Sequence, residues 1–162
     1  LKAGKVHALM DENGAGKSTL IKILAGAFPK NSGQIFFDDQ EVQIDLPSDS
    51  LALGIKVVYQ EISLIPEFSV GENIFLEKFP VNRFGVIKWK KLFKDCDNLF
   101  KSIGFNLKAN AKTSDLSISE QQVVEISRAV FQNASLVIMD EPTSSLTPNE
   151  IEKLFIVIKN IA

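Results

Sequence analysis

Residues 11–19 read "DENGAGKST", directly after the apolar run Val6 to Met10 and directly before "LIKILAGAF". The pattern is that of a glycine-rich phosphate-binding loop between a strand and a helix, with the loop's first glycine replaced by Asp11. Glycines let consecutive backbone N–H groups converge on phosphate oxygens at a helix N-terminus, where the helix dipole also favours an anion. Asn13, Gly14, Ala15 and Gly16 would build that cradle. Lys17 would reach the terminal phosphates, the Ser18 hydroxyl would hold Mg²⁺, and Thr19 would add a hydrogen bond. A lysine in the first turn of a helix stands at the wrong end of the dipole unless an anion offsets it, which favours a ligand here. Asp11 falls at the strand-to-loop hinge. At about 8 Å from the phosphates and an effective dielectric near 20, its carboxylate would weaken binding by roughly 2 kcal/mol, or about thirty-fold.

A second acidic constellation ends the run "LVIMDEP" at 136–142. In parallel α/β sheets ligands lie beyond the carboxyl ends of strands, so Asp140 and Glu141 would face the loop's phosphates. Asp140 would hold Mg²⁺ through water, and Glu141 would orient or deprotonate the attacking water.

Around these motifs the pattern is that of one α/β domain. "KVHALM" reads as a short buried strand, and Leu20, Ile23, Leu24 and Ala27 form one apolar helical face. "GQIFFDD" with "EVQI" reads as a hairpin, and "KVVY" as a strand. From Ser69 to about 118 the chain turns helix-forming and Lys-rich, with a glycine stop at Gly104, and is expected to be a helical subdomain inserted between α/β parts at about 1–68 and 119–162. Ser117 with Glu120 is a capping box opening a helix whose apolar face is Val123, Ile126 and Val130. "SLVIMDEP" is expected as a fully buried strand, and Pro148 opens a last amphipathic helix.

Composition sets limits. The 162 residues, 45% of them hydrophobic, suffice for one core. A net charge of −2 with scattered Lys and Arg does not favour nucleic acid as a partner. The single cysteine, Cys96, excludes an internal disulfide or a multi-thiol metal site and fits a reducing compartment. No apolar run approaches the roughly 20 residues that span a bilayer. The first residue is Leu and the last apolar stretch stops abruptly, so the chain is expected to be a piece cut at both ends.

Taken in order, "ENGAGKST", "YQE", "LSISEQQ" and "VIMDEPTSSLT" resemble the ATP-binding cassette ATPases that power membrane transporters, and most closely the bacterial sugar-importer branch. The resemblance implies a P-loop NTPase core with an inserted helical subdomain, and ATP with Mg²⁺ as its ligands. It implies that Gln60 senses the terminal phosphate and touches the metal, that Ser117 and Ser119 lie in the signature loop contacting ATP across a dimer interface, and that Ser144 to Thr147 cross between the two sites. It also implies a second nucleotide-binding half, a location on the cytoplasmic face of the membrane, permease subunits docked near "SVGENIFLEKFPVNRFGVIKWKKLF", and indirectly a solute-binding protein. The expected function is ATP hydrolysis driving import of a sugar or similar solute. Ser119 stands where the family's signature has glycine. The adenine-stacking aromatic and the switch histidine would fall outside the piece, which alone is expected to bind ATP weakly and not hydrolyse it. His7 does not match that switch and is expected to be a packed or edge histidine. Glu141 favours a working ATPase, whereas Asp11 and Ser119 favour a degenerate half that clamps ATP without turnover. A non-transport cassette ATPase is a further alternative.

Overall fold

The computed structural model describes residues 1–10, 12, 15–142 and 146–161. Helix α1 spans Lys17–Leu24. It ends where glycine is required: Gly26 has φ +72°, its N–H donates to the Ile23 carbonyl, and Ala27 N–H reaches back to Lys22. A Cβ on Gly26 would collide with the Leu46 carbonyl. The buried side of α1 centres on Ile21, while Leu20 is exposed and Ala27 lies past the helix, so the expected apolar face is rotated by one residue. The glycine stop ends the helix before the fourth position of that face is reached.

Strands β1 (Ile35–Phe37) and β2 (Gln40–Val42) form the expected hairpin. Asp38 and Asp39 both have positive φ, the two-residue turn whose twist suits antiparallel strands. Helix α2 (Pro47–Ala52) leads into β3 (Ile55–Val58). Helix α3 (Val70–Phe75) starts at Ser69, whose hydroxyl accepts the Glu72 N–H while the Glu72 carboxylate takes the Ser69 N–H. A turn bridged at Val81 and Ile87 separates it from α4 (Trp89–Ser102), which stops at Gly104 as expected. A 3₁₀ turn at Thr113–Asp115 precedes α5 (Ile118–Phe131), then β4 (Leu136–Met139) and α6 (Pro148–Ile161).

β4 pairs with β3 in parallel, Val58 beside Met139. The core lies between α3, α4 and α5, through Ile74 and Phe75, Leu92, Cys96 and Phe100, and Val123 and Ile126; Leu154 and Val157 of α6 close it. Helix α5 is the central wall. It buries Gln122 through Ser127 in succession rather than one stripe, because helices pack on several sides of it.

Two expected strand features differ. Residues 5–10 join no strand, and Val6, Leu9 and Met10 are exposed. An apolar run becomes a strand only when a neighbouring ladder takes up its N–H and C=O groups, and among the described residues none does. For the same reason β4 is half-buried along its length rather than fully buried: among the described residues only β3 flanks it. His7 is exposed and accepts the Lys2 N–H, so it is not a packed histidine.

Candidate functional site

The phosphate-loop residues Asn13 and Gly14 lie outside the described residues, as does Asp11. Gly16 caps α1 with φ +94°, a left-handed turn that aims the first free N–H groups of the helix outward. Among the described residues no side chain caps that end, and the first turn holds no acidic residue. Ser18 and Thr19 stand in the first turn itself. Lys17 folds back so that its Nζ donates to the Glu12 carbonyl at 2.8 Å, closing the loop on itself.

A second set of expected site residues is brought together by parallel pairing. Because Val58 and Met139 are in register, the chain leaves the two adjacent strands at the same end, Gln60 two residues after one and Asp140 with Glu141 after the other. The Asp140 N–H donates to the Val58 carbonyl at 3.0 Å, so β3 fixes where that acid begins. Glu141 has φ +46°, in the left-handed region that a side chain adopts at a cost of order 1 kcal/mol or more. Gln60 and Glu141 are both exposed. The donors offered by Ser18, Gln60 and Asp140 are hard oxygens, which suit Mg²⁺. Among the described residues no cluster of His, Cys, Asp or Glu would hold a metal by itself, so an ion here would depend on phosphate oxygens and water, as Mg²⁺ commonly does.

Two anchors fix the segment after Gln60, and neither is apparent from the sequence. The Glu125 carboxylate, buried on α5, accepts from both the N–H and the hydroxyl of Ser63 at 2.7 Å, and Arg128 donates to the same Ser63 hydroxyl at 2.8 Å. Arg128 lies 3.6 Å from the carboxylate as well. These groups line a cleft of about 320 Å³ with Tyr59 and Lys56. Glu125→Ala would leave the two Ser63 donors without their acceptor and the half-buried Arg128 guanidinium without its ion-pair partner. We expect it to lower stability by about 3 kcal/mol, read from the urea midpoint at unchanged slope. A loss under about 0.5 kcal/mol would show that the node is not holding the segment. The second anchor is Asn73 of α3, which accepts the Ile65 N–H at 2.8 Å.

The stretch expected to be the signature loop opens α5. Ser117 makes the expected capping box: its hydroxyl accepts the Glu120 N–H at 3.3 Å, and Glu120 takes the Ser117 N–H at 2.9 Å. Ser119 donates to Glu150 at 2.8 Å and lies 3.0 Å from the Ser117 hydroxyl. Glu150 in turn accepts the N–H and hydroxyl of Thr147 at the head of α6. The added side chain thus joins the starts of two helices over a cleft of about 410 Å³. Ser144 lies outside the described residues. Cys96 is fully buried, and burial with Asp97 nearby pushes its thiol up to about 12, so it is a core residue.

Residues 1–144 match the family model described as ABC transporter. The chain is similar to a ribose import ATP-binding protein of Streptomyces avermitilis, 45% identical over 99% of this chain and 31% of that protein. It is similar also to a galactose/methyl galactoside import ATP-binding protein of Fusobacterium nucleatum, 44% identical over 99% and 32%. The chain spans about a third of the length of these curated relatives. Among solved structures it resembles cbiO1 of Clostridium perfringens, part of an ABC transporter complex, with a TM-score of 0.81 and 26% identity over 99% of this chain and 63% of that one. A nucleotide-free ATP-binding cassette from an ABC transporter aligns with a TM-score of 0.73 at 23% identity, covering 93% and 63%, and supports the fold alone.

Proposed function

Starting from a chain that belongs to the ABC transporter family, we propose that it is the first nucleotide-binding half of an importer's ATPase component, taking up a sugar or similar solute. The observation that carries this is the parallel β3–β4 pair, which releases Gln60 and the Asp140–Glu141 pair at one edge. In this role Asn13 to Thr19 cradle the ATP phosphates, with Lys17 exchanging the Glu12 carbonyl for a phosphate oxygen. Ser18, Gln60 and Asp140 would hold Mg²⁺, which supplies charge neutralisation on the phosphates. Glu141 takes the proton of the attacking water, and Gln60 positions that water. Ser117 and Ser119 face the nucleotide of a second half. The body divides at about 1–68 and 119–162 around a helical part at 69–118, to which α3 and α4 belong. Partners are permease subunits on the cytoplasmic face of the membrane and, through them, a solute-binding protein. No helix among the described residues is long and apolar enough to cross a membrane.

One observation favours the second reading, a half that binds ATP with little turnover: Ser119 is tied to Glu150 rather than leaving the glycine-lined gap of the family's signature. Both readings require nucleotide at the loop. Lys17→Ala is expected to weaken binding of a fluorescent ATP analogue by about a hundredfold, as removal of a charge-assisted phosphate contact would. Equal titration curves for the two proteins would remove the loop from nucleotide binding.

A further inference from the structure

Both oxygens of the Glu150 carboxylate are in use, and they serve different helices. Oε2 accepts the Thr147 N–H at 2.9 Å and the Thr147 hydroxyl at 2.7 Å, which is ordinary work for a carboxylate in the first turn of its own helix, α6. That duty requires no second partner. Oε1 nevertheless accepts the Ser119 hydroxyl at 2.8 Å, from the first turn of α5 and 31 residues earlier in the chain. Both side chains are half-buried, where a hydrogen bond to a charged group is stronger than one in open water. Ser119 and Glu150 line the cleft of about 410 Å³ together with Val123 of α5 and Leu154 of α6.

A serine hydroxyl has one proton to donate. Ser119 has an acceptor for it in Glu150, and Ser117 has one in Glu120, 3.0 Å away. The two hydroxyls also lie 3.0 Å from each other. A phosphate oxygen arriving at this pair needs donors, and it would meet hydroxyls already turned to carboxylates, with two negative charges behind them. The two acids are not equivalent. Glu120 belongs to the same helix as the serines and completes its cap. Glu150 comes from α6, so its bond to Ser119 ties together the starts of two helices that are far apart in the chain.

We propose that Glu150 is a positioning residue for the signature loop: its carboxylate latches Ser119 to the head of α6 and withholds that end of α5 from the partner half's nucleotide until the bond opens. This rests on the proposed reading of Ser117 and Ser119 as facing a second half's nucleotide. Because the same carboxylate holds Thr147, the latch also links the signature loop to the end of the stretch expected to cross between the two sites. The competing explanation is simple crowding of that face by the Ser119 side chain, with Glu150 a bystander. The two differ for alanine at 119, which keeps the Cβ and loses the proton.

The first test uses this chain without nucleotide. Ser119→Ala should speed hydrogen exchange of the Thr147 amide by about fivefold, although the two residues belong to different helices, because Glu150 is then held from one side only. Unchanged exchange at Thr147 would overturn the latch. The second test uses a two-halved protein of the kind proposed, with Lys17→Ala silencing this half's own loop so that only the site facing Ser119 responds. Closure on ATP is read by energy transfer between dyes on the two halves. Ser119→Ala should lower the ATP concentration for half-maximal closure by about tenfold, and Ser119→Gly should gain no more than about twofold beyond that. Glu150→Gln should act like Ser119→Ala: its amide oxygen can keep the Thr147 bonds while its NH₂ donates to Ser119, which frees the serine proton and removes the charge. Ser119→Ala combined with Glu150→Gln should add nothing further. A gain with Ser119→Gly alone would overturn the proposal in favour of crowding. No closure in any variant, with Thr147 exchange responding as expected, would overturn the proposed function and this role with it, whereas unchanged exchange overturns the latch alone.

Discussion

Glu141→Gln, introduced into a two-halved protein of the kind proposed, is expected to slow ATP turnover at this half's site by about 10²–10⁴-fold and leave ATP affinity within about twofold. The amide keeps the size and hydrogen-bonding reach of the side chain but cannot take a proton from water. Backbone geometry does not complicate the comparison. Glu141 stands at φ +46°, and glutamine occupies that region with the same penalty as glutamate. The preceding residue, Asp140, stays fixed by its N–H bond to Val58, so the strand end does not move. Steady-state hydrolysis with labelled-ATP binding measures both quantities. Turnover equal to the unmodified protein would remove Glu141 from catalysis and shift weight to the half that clamps ATP. Turnover absent in both proteins, with binding intact, would assign that role to Ser119 and its bond to Glu150.

The parts legible in the sequence are those governed by local chemistry. Gly16 and Gly104 sit where the backbone needs a left-handed turn, and Ser117 with Glu120 caps a helix whatever packs beyond it. The "FFDDQE" hairpin follows from its two turn residues alone. Parts that depend on partners distant in sequence are not legible. Val6 to Met10 has the composition of a buried strand, yet composition does not supply a neighbouring ladder. Helix α5 reads as amphipathic, yet Glu125 and Gln122 are buried because α5 is the wall that other elements share. A glutamate on that helix looks like a solvated residue until the Ser63 loop lies on it. The acidic strand end is legible in type, through "LVIMDEP", but the positive φ of Glu141 is not. The turn between α3 and α4 is visible only as part of a Lys-rich stretch, because its bridge at Val81 and Ile87 depends on the bonds around Asn82.

Asn73→Asp is expected to destabilise the fold by about 3–5 kcal/mol, a large part of the roughly 5–15 kcal/mol that holds a typical domain together. Asn73 lies on α3, is fully buried, and bonds to two separate stretches of chain, the run from Ile65 to Ser69 and Thr113. Its side-chain oxygen accepts the Ile65 N–H at 2.8 Å. Its amide donates to the Ile65 carbonyl at 3.0 Å, the Ser69 carbonyl at 3.2 Å and the Thr113 hydroxyl oxygen at 2.9 Å. The amide orientation follows from its partners, because only an NH₂ group can face two carbonyls. Aspartate would place an acceptor against those carbonyls and bury a charge with no cation beside it among the described residues. Asn73→Ala removes the repulsion but leaves the Ile65 and Thr113 groups unsatisfied, so about 3 kcal/mol should be lost there as well. Ile65 comes shortly after Gln60 in the chain, and Ser63 between them is held by Glu125. The loop that carries the phosphate-sensing glutamine of the proposed site is therefore fastened to α3 on one side and α5 on the other. Urea unfolding of Asn73→Ala, Glu125→Ala and the double variant tests this. If the two anchors hold one loop, the double variant should lose less than the two single losses added together, because releasing the loop at one point already frees part of the other. Strict additivity, or a loss below about 1 kcal/mol for Asn73→Ala, would show that the loop does not depend on both.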